Sequence, residues 1–401
     1  FPPPPGGQGA GHAVAGGRMI LPPATLGLLG GGQLGRYFIM AARELGYRVM
    51  VLDPDRHSPA GCIADEHLVA AYDDQHALDH MAKSCAAVTT EFESVPSATL
   101  AYLAQSVPVR PGAEAVAICQ NRSMEKGFLK QHGLPHAPYV DICNEDDVAH
   151  APADLFPGIL KLVSLGYDGK GQAHVRDRDE ALSAWHQFKG AACVLERRMA
   201  LDGEFSVVLA RDSLGNIQCY PASANIHRHG ILDISSVPAQ AFSGLLGNAE
   251  QLACDIAANM AYIGTLSVEF FVVQGRIYVN EIAPRPHNSG HYTLDACVTN
   301  QFEQQVRALC DLPLGDARNH SAAVMVNLLG DLWTHDGDHD IREPDWRTLL
   351  SIPGLKLHLY GKHQPRPGRK MGHFTVVGED QATVYETAMA ARAAIGIGAK
   401  G

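Results

Sequence analysis

Glu269 and Glu281 lie in the stretch Thr265-Leu-Ser-Val-Glu269-Phe-Phe-Val-Val-Gln-Gly275-Arg-Ile-Tyr-Val-Asn280-Glu281, whose apolar residues flank Gln274-Gly275 and predict a β-hairpin. A turn of three residues sets the two glutamates directly opposite one another; a turn of two sets Glu269 opposite Asn280. On either register the carboxylates are neighbours. Like charges so placed repel unless a cation lies between them, and hard oxygen ligands suit Mg²⁺ shared with substrate phosphates. The blander reading, one glutamate exposed and the other paired with Arg276, fits the apolar flanks less well.

Two glycine-rich segments suit anions. Gly166-Tyr167-Asp168-Gly169-Lys170-Gly171-Gln172 falls between two short strands, with Lys161 on the strand leading in. Its backbone N–H groups can converge on phosphate oxygens while the lysines supply compact charge, although Gly-Tyr-Asp-Gly also suits a plain hairpin turn. Gly30-Gly31-Gly32-Gln33-Leu34-Gly35 satisfies G-x-G-x-x-G, and Asp53 follows at the distance a dinucleotide fold requires. Alone, that motif is as compatible with NAD as with a tight strand-to-helix turn. Arg122 and Lys126, four apart with Glu125 beside them, share one helical face, which on its own usually means a solvated surface.

Ala283-Pro284-Arg285-Pro286-His287-Asn288-Ser289-Gly290-His291 is dense in donors. His287 and His291 have the spacing of metal ligands on a helix, but Pro286 and Gly290 argue against one, and substrate-facing donors is the better reading. Lys362 and the run Arg366-Pro367-Gly368-Arg369-Lys370 concentrate cations on a stiff loop, either for an anionic substrate or as a solvated surface.

The elements that must position these residues alternate. Strands at 25–29, 48–52, 67–70 and 86–90 with helices between them predict a parallel, doubly wound sheet. A helix is expected over 122–131, then a compact α+β unit between Ile159 and Glu196. From Gly203 strands alternate in an antiparallel pattern, with a helix carrying Leu252, Ile256, Met260 and Ile263 and a last strand and helix between Phe374 and Ile395. The expected division is a disordered tail or tag remnant at 1–18, then 19–120, a lid at 121–202, and 203–401 with the metal site. The fold class is therefore α/β and α+β.

A chain of 401 residues is long for one module, at roughly 150 residues per domain. With 32 Lys+Arg against 43 Asp+Glu, the net charge of -11 disfavours nucleic acid as a partner. No apolar run suits a membrane helix. The nine cysteines are scattered without C-x-x-C, which predicts a reducing cytoplasm and no zinc module.

Taken together, GGGQLGR at 30–36, GYDGKGQ at 166–172, NEIAPRPHNSGH at 280–291 and RPGRKMGH at 366–373 resemble the ATP-grasp ligases and, among them, the 5-(carboxyamino)imidazole ribonucleotide synthetase family of purine biosynthesis. The likeness runs from about residue 24 to about 395. It implies an ATP-grasp fold with a Rossmann-like pre-ATP-grasp domain, a central lid and a mainly antiparallel C-terminal α+β domain. The implied activity is ATP-driven carboxylation of 5-aminoimidazole ribonucleotide by bicarbonate through carboxyphosphate, in a cytoplasmic homodimer with Mg²⁺ (or Mn²⁺) as cofactor.

Residue by residue, the resemblance assigns Arg122, Lys161 and the loop Gly166, Tyr167, Asp168, Gly169, Lys170, Gly171 and Gln172 to ATP phosphates. Glu196 and Met199 fall at the adenine hinge, Glu204 at the ribose and His227 elsewhere in the nucleotide site. Glu269 and Glu281, with Asn280, form the metal site. Arg285 would stabilise carboxyphosphate, with Asp168 and Lys362 also catalytic. Gly32, Gln33, Leu34, Glu91, His287, Asn288, Ser289, His291, Lys362 and Arg369 would hold the acceptor. Many ATP-grasp enzymes carry Asn two residues after the second glutamate, where this chain has Ala283. Formate-dependent glycinamide ribonucleotide transformylase shares the fold as an alternative, and a nicotinamide dehydrogenase would use the first glycine motif but leaves the paired glutamates unexplained.

Overall fold

The structure is a computed structural model that describes residues 18–164, 171–334 and 341–398. The expected tail, apart from Arg18, and Gly166 to Lys170 of the second glycine loop lie outside the described residues.

Strands β1 (Thr25–Leu29), β2 (Arg48–Leu52), β3 (Glu66–Leu68) and β4 (Ala87–Thr90) form a parallel sheet in the order β3-β2-β1-β4. β1 reads as an almost continuous apolar run because helices and loops cover both faces of a parallel sheet. One covering element comes from far along the chain. Phe302, Val306 and Leu309 of the helix Gln301–Leu309, together with Tyr360, complete the core around Leu26, Leu28 and Phe38.

The next unit is a four-stranded antiparallel sheet of β5 (Tyr139–Ile142), β6 (Gly158–Leu162), β7 (Gln172–Val175) and β8 (Cys193–Arg197), ordered β5-β8-β6-β7. The helix Arg178–Gln187, capped by Asp177, packs Ala181, Ala184 and Trp185 into its core.

The remaining strands make a nine-stranded antiparallel sheet. They are β9 (Gly203–Arg211), β10 (Ile217–Cys219), β11 (Ser223–Arg228), β12 (Ile231–Val237), β13 (Gly264–Val273), β14 (Arg276–Ala283), β15 (Ala322–Leu329), β16 (Leu355–Leu359) and β17 (Lys370–Gly378). The path is β14-β13-β9-β11-β12-β15-β17-β16, with β10 on β9. The helix over this sheet spans Ser243–Asn259, so Met260 caps it and Ile263 lies beyond, shorter than the apolar periodicity predicts. No described helix is long and apolar enough to cross a membrane.

Candidate functional site

The hairpin combines the two expected registers, with the shorter turn and the direct opposition of the glutamates. Its turn has two residues, Gln274 and Gly275, both at positive φ, with Val273 opposite Arg276. That turn alone would set Glu269 against Asn280. A bulge between Glu269 and Phe270 shifts the ladder, so Glu269 pairs with Glu281 after all and Asn280 is the extra residue. On the other side of β13, Glu269 pairs with Ser206 of β9, and Glu204 lies two residues before Ser206. Glu204, Glu269 and Glu281 therefore share one face of three adjacent strands.

This concentration of acid has electrostatic consequences. Burial, helped by Glu281 and Glu204, pushes the Glu269 carboxyl up to about 7 despite His227 nearby. Burial disfavours a charged His227 ring, but its hydrogen bond with Glu204 and the charge of Glu269 outweigh that and raise it. Asn280 Nδ2 points to Glu269 Oε2 at 3.4 Å, His287 Nε2 lies 3.5 Å from Glu269 Oε1, and Arg122 lies 4.0 Å from Glu281. Two opposed carboxylates, an amide oxygen on the bulge and a third acid in reach are donors a hard divalent cation fits.

A second charged cluster lies between the sheet β5-β8-β6-β7 and the helix Arg122–Gln131. Asn121 caps that helix by accepting the Met124 N–H, and its inward face carries Glu125 and Lys126, 2% and 1% exposed. The Arg122/Lys126 pair is thus no solvated face. Lys161 on β6 donates to Glu196 Oε2 on β8 at 3.0 Å, and Lys126 Nζ lies 3.6 Å from Glu196 Oε1. Burial would raise the Glu196 carboxyl, but the two lysines outweigh it and hold it down at about 2. Both carboxylate oxygens of Glu196 therefore face lysines. Met199 is half-buried in the link from β8 to β9. Gly171, at positive φ, gives its carbonyl to Leu162 N–H, and Gln172 pairs with Lys161, so the described end of the glycine loop stands beside that lysine.

The first glycine motif is occupied by the protein itself. Gly31 N–H donates to Asp53 Oδ2 at 2.7 Å, while Gly32 and Gly35 N–H donate to Glu91 Oε1 and Oε2 at 2.6 and 3.0 Å. These donors would have to face a pyrophosphate in a dinucleotide site, and Asp53 would have to face a ribose. Both carboxylates instead turn back onto the loop, and a side chain on Gly31 would collide with Ser58 at 2.4 Å. The dinucleotide reading is corrected on this ground.

Around that loop, Lys362 Nζ donates to Gln33 Oε1 and to the Lys370 carbonyl, both at 2.7 Å, so the basic loop closes onto the start of the helix Gln33–Glu44. Arg369 donates to the Gln364 carbonyl at the exposed rim. The Leu34 side chain belongs to the core and leaves only its backbone to face a ligand. Of the donor-rich loop, His287 faces Glu269 and Arg285 is bound by Glu93. Asn288 is buried against Asn327, and Ser289 is bonded to His287 Nδ1. His291 is 0% exposed among Tyr37, Phe302, Tyr360 and His373, so it packs as a core ring instead of facing substrate.

Between these groups is a cavity of about 190 Å³ lined by Glu93, Gln120, Arg122, Glu125, Glu281 and Ile282. Glu125 Oε1 accepts the Ile282 N–H at 2.6 Å, and burial raises its carboxyl to about 7 although Lys126 pulls the other way. Arg285 is held beside the cavity by Glu93. Lys126, Glu125 and Glu93 are the residues that sequence reasoning left without a role. For Glu93 a signal exists, since acids just beyond the carboxyl end of a parallel strand lie where open α/β sheets bind ligands.

Three family models match: a ribonucleotide synthetase preATP-grasp domain over residues 23–120, an ATP-grasp domain over 127–302 and a phosphoribosylaminoimidazole carboxylase C-terminal domain over 323–387. The N5-carboxyaminoimidazole ribonucleotide synthase of Brucella melitensis is 41% identical over 361 residues, covering 89% of this chain and 97% of its own. That of Bacillus subtilis is 39% identical over 360 residues, covering 89% and 92%. The solved ADP complex of N5-carboxyaminoimidazole synthetase from Staphylococcus aureus aligns with a TM-score of 0.86 at 33% identity, covering 93% of this chain and 98% of that one.

Proposed function

The chain belongs to the N5-carboxyaminoimidazole ribonucleotide synthase family of ATP-grasp ligases, and from that we propose that it carboxylates the amine of 5-aminoimidazole ribonucleotide with bicarbonate, splitting ATP to ADP and phosphate through carboxyphosphate. The observation that carries the reading is the shared face of Glu204, Glu269 and Glu281 beside Arg285 and the Lys126–Glu196–Lys161 cluster. Phosphoryl transfer is mostly positioning plus charge stabilisation, and this arrangement provides both signs of charge in one place.

In this reading, Lys161, Arg122 and the 166–172 loop hold the nucleotide phosphates, and Glu196 keeps two lysines aimed at them. The link at Met199 borders the base, with Glu204 and His227 at the sugar. Glu269, Glu281 and Asn280 would hold Mg²⁺, which screens the phosphate charge when bound. Bicarbonate oxygen attacks the γ-phosphorus and ADP leaves. Arg285 then binds the resulting dianion through its planar fork. The amine nitrogen attacks the carboxyl carbon, phosphate departs, and the amine loses a proton. Gly32, Gln33, Glu91, His287, Lys362 and Arg369 would bind the acceptor, with burial and Arg285 keeping the His287 ring neutral. Residues 19–120, 121–202 and 203–401 would act as acceptor lobe, lid and metal lobe of a cytoplasmic homodimer.

ADP release measured with each acceptor and carbon donor tests the reading. It should require Mg²⁺, bicarbonate and aminoimidazole ribonucleotide together. Stimulation by formate and glycinamide ribonucleotide in their place would reassign the chain to the transformylase.

A further inference from the structure

We propose that Glu93 is a positioning residue that fixes Arg285 for the carboxylated phosphate, an inference that rests on the function proposed above. Glu93 lies three residues beyond β4, on the parallel-sheet lobe, whereas Arg285 follows β14 on the antiparallel one. Glu93 Oε2 accepts both Arg285 Nε–H at 2.9 Å and Nη2–H at 2.5 Å, and the Pro286 carbonyl accepts Nη1–H at 3.1 Å. Three of the five guanidinium donors are thereby engaged by protein. The plane of the fork is set, and two donors are left for an anion.

The seat is itself rigid. Gln120 Nε2 donates to the Glu93 carbonyl at 2.6 Å and also to the Val95 carbonyl. Two residues back, Glu91 grips Gly32 and Gly35 at the acceptor side. One short segment therefore ties the loop that would meet the acceptor to the arginine that would meet the activated carboxyl group. Glu93 also lines the cavity with Arg122 and Glu281. A guanidinium on a long flexible stem would otherwise have to be ordered in each turnover, and small misplacements of a charge-stabilising group are costly in rate.

The test uses the intact enzyme with Glu93→Ala, Glu93→Gln, Arg285→Lys and the Glu93→Ala/Arg285→Lys double variant. Glu93→Ala should lower kcat about ten- to a hundredfold with the ATP KM within about twofold, and should release more ADP than carboxylated product as the intermediate escapes to water. Glu93→Gln, whose amide oxygen can accept both N–H groups, should recover part of the loss; equal loss in both would mean that charge alone matters, and the positioning role would fall. Phosphonoformate, a stable anion joining a carboxylate to a phosphonate, should bind with Mg²⁺ADP about tenfold more weakly to Glu93→Ala by calorimetry. Combined with Arg285→Lys, Glu93→Ala should add little. Unchanged phosphonoformate affinity, or effects that multiply in the double variant, overturns the proposal. Should the alanine variant not fold, Glu93→Asp, which keeps the charge but shortens the reach, replaces it with the same expected losses. The calorimetric arm needs no acceptor, so a wild-type enzyme inactive with aminoimidazole ribonucleotide would sink the proposed reaction while leaving the Glu93–Arg285 pair separately judged.

Discussion

Glu269 and Glu281 face each other across β13 and β14 because Asn280 is squeezed out of the ladder between them. Their repulsion is relieved only by a proton or a cation. Glu281→Gln and Glu269→Gln should each reduce ADP release at saturating Mg²⁺ by about a hundredfold or more, with a thermal midpoint equal to or above that of the parent. Parent-like turnover in either variant would remove the metal site from this account.

Lys362 and Gln33 join segments that are far apart in the chain, and the acceptor's phosphate is remote from its reacting amine. Contacts to that phosphate act in ground and transition state alike. Lys362→Met and Arg369→Met should therefore raise the aminoimidazole ribonucleotide KM by about tenfold or more while leaving the ATP KM nearly unchanged. Varying each substrate separately decides it, and a rise in the ATP KM instead would move the basic loop to the nucleotide.

Lys126 shares Glu196 with Lys161 deep in the protein. Lys126→Met should raise the ATP KM several-fold, because Glu196 would then draw Lys161 wholly to itself, while the acceptor KM stays put. An unchanged ATP KM would make Lys126 a purely structural counter-charge.

Glu125 supplies a pH signature. Its carboxyl stands at about 7 in the folded chain against an ordinary 4.5, so the folded state favours the proton. The associated stability is fully present below pH 4.5 and is lost as pH rises through about 7. A shift of this size corresponds to about 3 kcal/mol. Glu125→Gln keeps an oxygen for the Ile282 N–H without the ionisation, so its melting temperature should gain on the parent as pH rises from about 4.5 to 8, most of the gain falling below about 7. Parallel curves would show that Glu125 does not titrate there.

What could be read from the sequence was what local rules control. The alternation of strands and helices, the helix over 122–131 and the neighbouring of Glu269 and Glu281 follow from spacing and turn chemistry alone. The bulge at Asn280 does not, since it settles a competition between a two-residue turn and the pairing of a whole strand. Lys126 and Glu125 looked solvated because a helix of mixed charge gives no sign that a carboxylate on β8 and a peptide N–H on β14 wait for it. The Gly30 to Gly35 motif misleads for a related reason. Its backbone matches a phosphate site, but its occupants, Asp53 and Glu91, come from the ends of neighbouring strands. His291 has the spacing of a ligand and the surroundings of a core aromatic.

Phe302, Val306, Leu309 and Tyr360 lie against the first strands of the chain, and this fixes an order of events during synthesis. When residues 25–90 leave the ribosome, the helix that covers their sheet is still some two hundred codons from being translated, at about 5–20 residues per second. Until then the apolar residues on that side of the sheet lack their cover. Only after Tyr360 and Lys362 emerge can that face close and Gln33 gain its partner.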